Sequence, residues 1–478
     1  MDFVYNQVLY DSQPLAQTHP TDLAALAILF GMQPAPVGRC RVLELGCGNG
    51  ANLIPMALTL PESLFVGVDL AATPIRTAQA LADELGLLNC TFRHLDMADL
   101  TSDFGEFDYI IAHGVYSWVP WAVRDRLLAA CRSLLAVDGV AYVSYNCYPG
   151  WHLRDIVRDM LLYHTRGIAD PQTTLERATD LIRFLAAAEP LPPVLREELR
   201  ALQSKNPSIL FHDELSEVNQ PVYFHQFIEH AREHGLEFLA EAQFSAMQEA
   251  AIPEEVTAAL RGLAQGERIR HQQYLDFLTC RRFRQTLLCH RETVHQDQPN
   301  PERVRALWAA SPAVRVSEEE FRVPSGASLR TNQPAAQAAM LCLGRSWPRA
   351  VAFDELAAEA GPNADAVLAN LLPRACASGL VELHAAPSPF LVIPGLRPRA
   401  SALARIQARR GARITTLRHS VVEIQDPLAR ELISLLDGTR DRAALLAELQ
   451  AFAGPEPLLL EALDANLVKL ARRALLEA

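Results

Sequence analysis

The chain has 478 residues, too many for one ordinary domain; length alone suggests about three units. Half of the residues are hydrophobic and 21% are charged, which excludes a mostly disordered chain. Acids outnumber bases, 56 to 44, for a net charge of −12, so a general nucleic-acid coat is excluded, although a local basic patch is not.

The bases are lopsided. Lys205 and Lys469 are the two lysines and all the others are arginines, which together with abundant Ala and Pro reads as GC-rich coding. Met1-Asp2-Phe3-Val4-Tyr5 lacks the basic start and apolar core of a signal peptide. No stretch reaches ~18 apolar residues without a charge or a breaker. The nine cysteines are scattered, with no CxxC pair, as expected of reduced thiols and not of a disulfide frame or a zinc site. A cytoplasmic protein without membrane insertion is therefore expected.

In chain order, residues 1–35 read as an extension with one helix over Thr21–Phe30, started by Thr18-His19-Pro20-Thr21-Asp22. Residues 40–146 alternate strands and helices. The strands are Arg41–Leu45, Leu64–Asp69, Cys90–His94, Phe107–Ala112 and Gly139–Tyr145; the helices are Asn52–Thr59, Ile75–Leu85 and Val123–Ala136. This pattern predicts an α/β fold with a mostly parallel sheet covered on both faces. Residues ~151–290 read as almost all helix, and His295–Pro301 as a linker. Asp354–Gly361, Ala364–Ser378 and Gly379–Leu383 give the helix–turn–helix–strand outline of a winged helix, and a small helical unit follows from about Leu417. The expected units are 1–165, 166–294, 302–390 and 391–478.

The strongest chemical signal is Glu44-Leu45-Gly46-Cys47-Gly48-Asn49-Gly50. An apolar strand runs into three glycines at alternate positions and then a helix, so that a ligand can approach the backbone closely. An acid two places before the first glycine suits S-adenosylmethionine rather than NAD. Asp69, at the tip of the second strand and about 20 residues on, can accept the ribose hydroxyl protons. Asp96 and Met97, where the third strand ends, lie beside the expected adenine position. The fourth strand ends in Ala112-His113-Gly114-Val115-Tyr116-Ser117-Trp118-Val119-Pro120, with no Asn/Asp-Pro-Pro-Tyr, so methylation of a base amine or a glutamine amide has no support. Aromatic rings here could hold a lysine side chain; equally, Tyr116, Trp118 and Trp121 could simply pack the next helix. Tyr5, Tyr10, His113, Tyr116 and Trp118 are the candidates to orient an acceptor.

This segment resembles the class I S-adenosylmethionine-dependent methyltransferases. Further likenesses are Thr18-His19-Pro20, His113–Pro120, Tyr148-Pro149-Gly150-Trp151, Asn219–Phe227, Asp276-Phe277-Leu278 and Arg281–Leu288. Together they look like bacterial methyltransferases with a methyltransferase regulatory domain, the group that includes the rickettsial-type outer-membrane-protein lysine methyltransferases. The resemblance implies a seven-stranded Rossmann-like sheet, a helical middle domain and a winged-helix-like C-terminal region. It implies S-adenosylmethionine held by Glu44, the loop Gly46, Cys47, Gly48, Asn49 and Gly50, then Asp69, Leu70, Asp96, Met97 and His113. It also implies methyl transfer to lysines of a protein acceptor. A small-molecule methyltransferase with the extra domains as a lid stays open, as do a cofactor-binding regulator and a homodimer.

Other clusters carry weaker signals. His230 and His234 stand at i, i+4 near His212 and His225, but no third ligand is indicated and no metal is expected. Arg281, Arg282 and Arg284 could face an acidic substrate or pair with local acids. Arg397, Arg399, Arg405, Arg409, Arg410, Arg413 and Arg418 form a basic run in which a DNA contact, protein docking and a solvated face are all open, with no nucleic-acid partner expected.

Overall fold

The computed structural model describes residues 10–247, 249, 252–454 and 459–478, so Tyr5 lies outside the described residues. The first helix, α1 (Pro20–Leu29), starts where His19 Nδ1 accepts from the Thr21 N–H and Pro20 occupies the first turn. It is buried nearly all round. The expected linker is strapped to its end: the Gln296 and Asn300 N–H groups donate to the Phe30 and Leu29 carbonyls.

An alternating layer follows, with β1 (Arg41–Leu45), α2 (Leu53–Thr59), β2 (Leu64–Asp69), α3 (Ala72–Glu84), β3 (Cys90–His94), β4 (Phe107–Ala112), α4 (Trp121–Leu134) and β5 (Leu135–Asn146). The first four strands coincide residue for residue with the expected ones. Their runs end at glycine or polar breaks; β1, β2 and β4 are mostly buried on both faces, whereas the edge strand β3 exposes Thr91, Arg93 and His94.

After β5 come four helices, α5 (His152–Thr165), α6 (Pro171–Ala187), α7 (Pro193–Gln203) and α8 (Pro207–Glu214). They pack around a small core of their own, centred on Val157, Leu161, Ile182 and Leu199. The next stretch departs from the all-helical expectation. It holds α9 (Phe224–Glu233), β6 (Leu236–Glu241), α10 (Glu254–Ala264), α11 (Arg268–Thr279) and β7 (Phe283–His290). Both strands join the sheet, whose order is β3-β2-β1-β4-β5-β7-β6, with β7 antiparallel to β5 and β6. The sheet therefore has seven strands, and residues 166–294 complete it instead of standing wholly apart. Their charged inward positions hid them: Arg284 on β7 is fully buried, donating to Asp276 of α11 and Glu241 of β6. Arg281 pairs with Asp276 and Arg282 with Glu198, so this cluster binds local acids.

The C-terminal half begins with β8 (Trp308–Ala310) and a small sheet of β9 (Val314–Arg315), β10 (Glu320–Arg322) and β11 (Ser328–Arg330). Then come α12 (Pro334–Ser346), β12 (Val351–Ala352), α13 (Phe353–Ala360), α14 (Ala364–Ala377) and β13 (Glu382–His384), with strand order β12-β8-β13. The chain ends in α15 (Ala402–Arg410), β14 (Arg413–Thr415), β15 (Val421–Glu423), α16 (Pro427–Leu435), α17 (Arg442–Ala453) and α18 (Leu460–Arg472), which share a separate core. The basic run meets acids within the molecule: Arg399 pairs with Glu477, Arg410 with Glu84, Arg413 with Asp11 and Arg418 with Glu382. Among the described residues, no helix is long and apolar enough to cross a membrane.

Candidate functional site

In an open sheet, ligands settle beyond the carboxyl ends of the strands where the strand order reverses, which here is between β1 and β4. The glycine loop stands at that point. Gly46, Gly48 and Gly50 all have positive φ, at 76°, 53° and 73°. The Gly46 and Cys47 N–H groups donate to the Val68 carbonyl, tying the loop to β2. Asp69 braces it further. Its Oδ2 accepts from the Gly48 N–H at 2.8 Å and its Oδ1 from the Ala71 N–H at 2.8 Å. Asn49 turns on itself, its Oδ1 accepting from the Ala51 N–H. Cys47 is buried and burial raises its thiol pKa, so it serves as packing and not as a nucleophile.

The three glycines differ in what they face. A Cβ on Gly46 would lie 2.6 Å from Val115, and one on Gly50 2.7 Å from the Phe92 ring. Among the described residues, a Cβ on Gly48 would meet only Ser12 Oγ, at 3.2 Å. The segment carrying Tyr10 and Ser12 thus lies over the loop. It is held there from three sides: Ser208 accepts from the Asp11 N–H, Asn206 donates to Asp11, and Arg413 pairs with Asp11. Tyr10 is 39% exposed, its ring 5.6 Å from that of His212.

Beneath the loop sits Glu44. Its Oε1 accepts from Asn52 Nδ2 at 2.8 Å, while its buried Oε2 has no partner among the described residues. Burial pushes the Glu44 carboxyl up to about 8. Along the strand ends, Leu70 is 45% exposed and its carbonyl meets His94 Nε2. Asp96 caps the short turn Met97–Asp99 through the Ala98 N–H, and Met97 is half-buried beside it.

On the β4 side, His113 stacks on Tyr142, its Nδ1 2.9 Å from the phenol oxygen, and burial lowers its pKa to about 4. It is a neutral imidazole at physiological pH. Trp118 is half-buried, edge-on to Trp151 with Arg158 over its ring. Tyr116 departs from expectation. It is fully buried against Phe227 and Tyr145, its hydroxyl 2.8 Å from His230 Nδ1, so it packs the interior and does not face an acceptor.

An orphaned buried carboxylate oxygen and a glycine cradle that a side chain would fill suit a ligand with an ammonium group and an extended backbone contact. The comparisons agree with this geometry. Residues 42–139 match a methyltransferase domain, 206–290 a predicted methyltransferase regulatory domain, and 397–473 a PKMT C-terminal winged helix domain. The uncharacterized protein RP028 of Rickettsia prowazekii is 35% identical over 233 residues, 48% of this chain and 93% of that one. The chain belongs to the S-adenosylmethionine-dependent methyltransferases with a regulatory domain. The uncharacterized protein RP789 of the same organism is 41% identical over 293 residues, 60% of this chain, and the match spans 53% of RP789. Among solved structures, PKMT2 from Rickettsia typhi in complex with AdoHcy matches with a TM-score of 0.85, 25% identity and coverage of 98% of this chain and 99% of that one. The winged-helix match falls on 397–473, C-terminal to the 302–390 segment where the sequence outlined one.

The site of this methyltransferase includes two residues that the motif reading passed over. Asn52 is buried just past the loop, where its Nδ2 donates to Glu44 and Thr18 and its Oδ1 accepts from the Leu15 N–H. That oxygen also accepts from His419 Nε2 at 2.7 Å, a residue 367 positions away in the winged-helix match. Burial lowers the His419 pKa well below the usual range, so the ring stays neutral and donates from Nε2. His419 is thus linked to Glu44 through Asn52. His419→Ala is expected to weaken cofactor affinity several-fold, and calorimetric titration with S-adenosylhomocysteine checks it. His419→Gln, which can offer an N–H, should recover part of the loss; equal affinity in all three proteins would show that the contact does no positioning.

Proposed function

We propose that this methyltransferase moves methyl groups from S-adenosylmethionine to lysine side chains of a protein acceptor. The observation that carries the reading is the likeness to PKMT2 along nearly the whole chain, extra domains included. In this reading the glycine loop lies under the methionine portion, Glu44 Oε2 meets its ammonium group, Asp69 takes the ribose hydroxyls, and Leu70, Asp96 and Met97 border the adenine.

When bound, S-adenosylmethionine supplies a methyl group already activated on a sulfonium. The protein's task is alignment. The acceptor nitrogen attacks in line, a C–N bond forms as the C–S bond breaks, and that electron pair leaves with sulfur. A lysine must first give up a proton, because an ammonium has no lone pair. A desolvated approach lowers its pKa. His113, neutral and anchored through Nδ1, keeps Nε2 to orient the amine; its lowered pKa makes it too weak a base to take the proton, which leaves to solvent before the amine enters. Trp118 and Tyr10 border the approach. The domains around this site supply docking area for a protein acceptor.

Labelled S-adenosylmethionine added with the enzyme to a cell lysate tests the reading. Label is expected in acid-precipitable protein. Label confined to acid-soluble metabolites would favour a small-molecule methyltransferase, and cofactor binding without any transfer a regulator.

A pH dependence follows from Glu44. Its folded pKa of about 8 lies above the ordinary 4.5, so the folded protein keeps a proton that the unfolded chain releases. This contribution to stability is complete below about pH 4.5 and declines as the pH rises to about 8. Thermal midpoints of the ligand-free protein should fall across that window, and those of Glu44→Gln should fall less. Pairing with an ammonium group requires the ionised carboxylate, so cofactor affinity should rise with pH up to about 8 in the wild type alone. A profile shared by both proteins would remove Glu44 from the site.

A further inference from the structure

The sequence offers His230 and His234 four residues apart without a third ligand nearby; the structure puts His230 in the last turn of α9 and His234 at its C-cap. The fold brings a third from a distance. Asp125, on α4, places Oδ1 2.8 Å from His234 Nε2 and 3.5 Å from His230 Nε2. One ligand atom from each of the three residues lies within 4.8 Å of the others.

We propose that Asp125, His230 and His234 form a binding site for one divalent cation of the zinc class, which fastens α4 of the sheet to α9 of the regulatory segment. Two imidazoles and a carboxylate are a donor set that first-row cations favour, zinc foremost, with water completing a tetrahedron. Tetrahedral ligands about 2.0–2.1 Å from zinc lie roughly 3.3 Å from one another, which small side-chain movements reach from the present spacing. His230 lies in the last turn of α9 and His234 is the residue that caps its C-terminus, so the two imidazoles stand side by side at the end of that helix, ring centroids 5.4 Å apart.

The surroundings fit the same reading. The Tyr116 hydroxyl lies 2.8 Å from His230 Nδ1, where its oxygen can accept the Nδ1 proton and leave the Nε2 lone pair for a cation. Trp121 stacks on His230 with ring centroids 4.5 Å apart, which fixes the ring plane. His230 is buried while Asp125 is exposed, so the site opens to solvent on the carboxylate side. Tyr116 follows β4, so a cation here would also hold the loop that leaves the candidate active site. An ordinary His–Asp ion pair needs only His234; here both Nε2 atoms approach one carboxylate oxygen, which brings three potential ligand atoms together.

The test uses the full chain, stripped with a chelator and dialysed, then titrated with Zn²⁺ in competition with a chromophoric chelator. One equivalent should bind, with a rise in thermal midpoint that Mg²⁺ does not reproduce. His234→Ala and Asp125→Asn should each weaken that binding at least tenfold. Far-UV circular dichroism and unchanged affinity for S-adenosylhomocysteine show that both variants remain folded. Absence of stoichiometric Zn²⁺ binding, or full retention of it in the folded His234→Ala and Asp125→Asn proteins, would overturn the proposal.

Discussion

Replacing Gly48 by valine is expected to abolish saturable binding of S-adenosylmethionine and S-adenosylhomocysteine while the protein stays folded. The three loop glycines make this a sharp test because they face different things. At Gly46 and Gly50 a new Cβ would strike Val115 or Phe92 at under 3 Å, so substitutions there damage packing first. At Gly48 a new Cβ would meet, among the described residues, only Ser12 Oγ, at 3.2 Å. A valine there carries a backbone cost of about 1–2 kcal/mol for a left-handed φ. Its branched side chain would instead occupy the surface that the cofactor must approach. Calorimetry and circular dichroism on Gly48→Val and Gly50→Ala separate the two effects. Gly50→Ala should lower the thermal midpoint with binding retained, and Gly48→Val should lose binding with no more than the modest drop in midpoint that its backbone cost imposes. Wild-type affinity in a folded Gly48→Val would show that the ligand does not lie on this loop.

Asp69→Ala is expected to weaken cofactor binding roughly 10- to 100-fold, about 1–3 kcal/mol for lost charge-assisted hydrogen bonds. In the free protein both carboxylate oxygens already accept backbone protons, from Gly48 and Ala71. Each oxygen has a second lone pair, so ribose hydroxyls can be added without displacing either contact. The alanine variant therefore loses the ribose contact and a brace of the glycine loop together. Asp69→Asn separates these roles. Its amide oxygen keeps one backbone contact, but its NH₂ group confronts the other backbone N–H and offers no charge to the ribose. Its affinity should fall between those of the wild type and alanine proteins. Unaltered affinity in both variants would place the ribose elsewhere.

Much of this site was legible in the sequence because each part is local. A buried parallel strand reads as an apolar run ending at a break, which is why β1, β2 and β4 were legible; the edge strand β3 shows instead the alternation of Cys90 and Phe92, buried, with exposed Thr91 and Arg93. What the sequence hid depends on distant partners. β6 and β7 enter the sheet antiparallel, and the buried Arg284 on β7 looks like a surface charge until Asp276 and Glu241 are brought to it. Tyr116 shares an aromatic run with Trp118, yet its hydroxyl turns inward to a histidine 114 residues away. Asn52 carries no motif, and its worth comes from Glu44 on one side and His419 on the other. The arginines of the basic run likewise acquire meaning from acids as remote as Asp11 and Glu84. The sequence drew Tyr5 and Tyr10 of the N-terminal extension toward the acceptor but not their neighbours: Ser12 stands over the glycine loop, and Asp11 is bonded from both the helical segment and the C-terminal hairpin.

The central claim is that methyl groups reach lysine on a protein. Its most direct measurement is mass spectrometry of the proteins labelled in lysate by the wild-type enzyme and not by Gly48→Val. Peptides whose added methyl groups sit on lysine Nε are expected. Label on other side chains, or in small molecules with no modified protein, would contradict it.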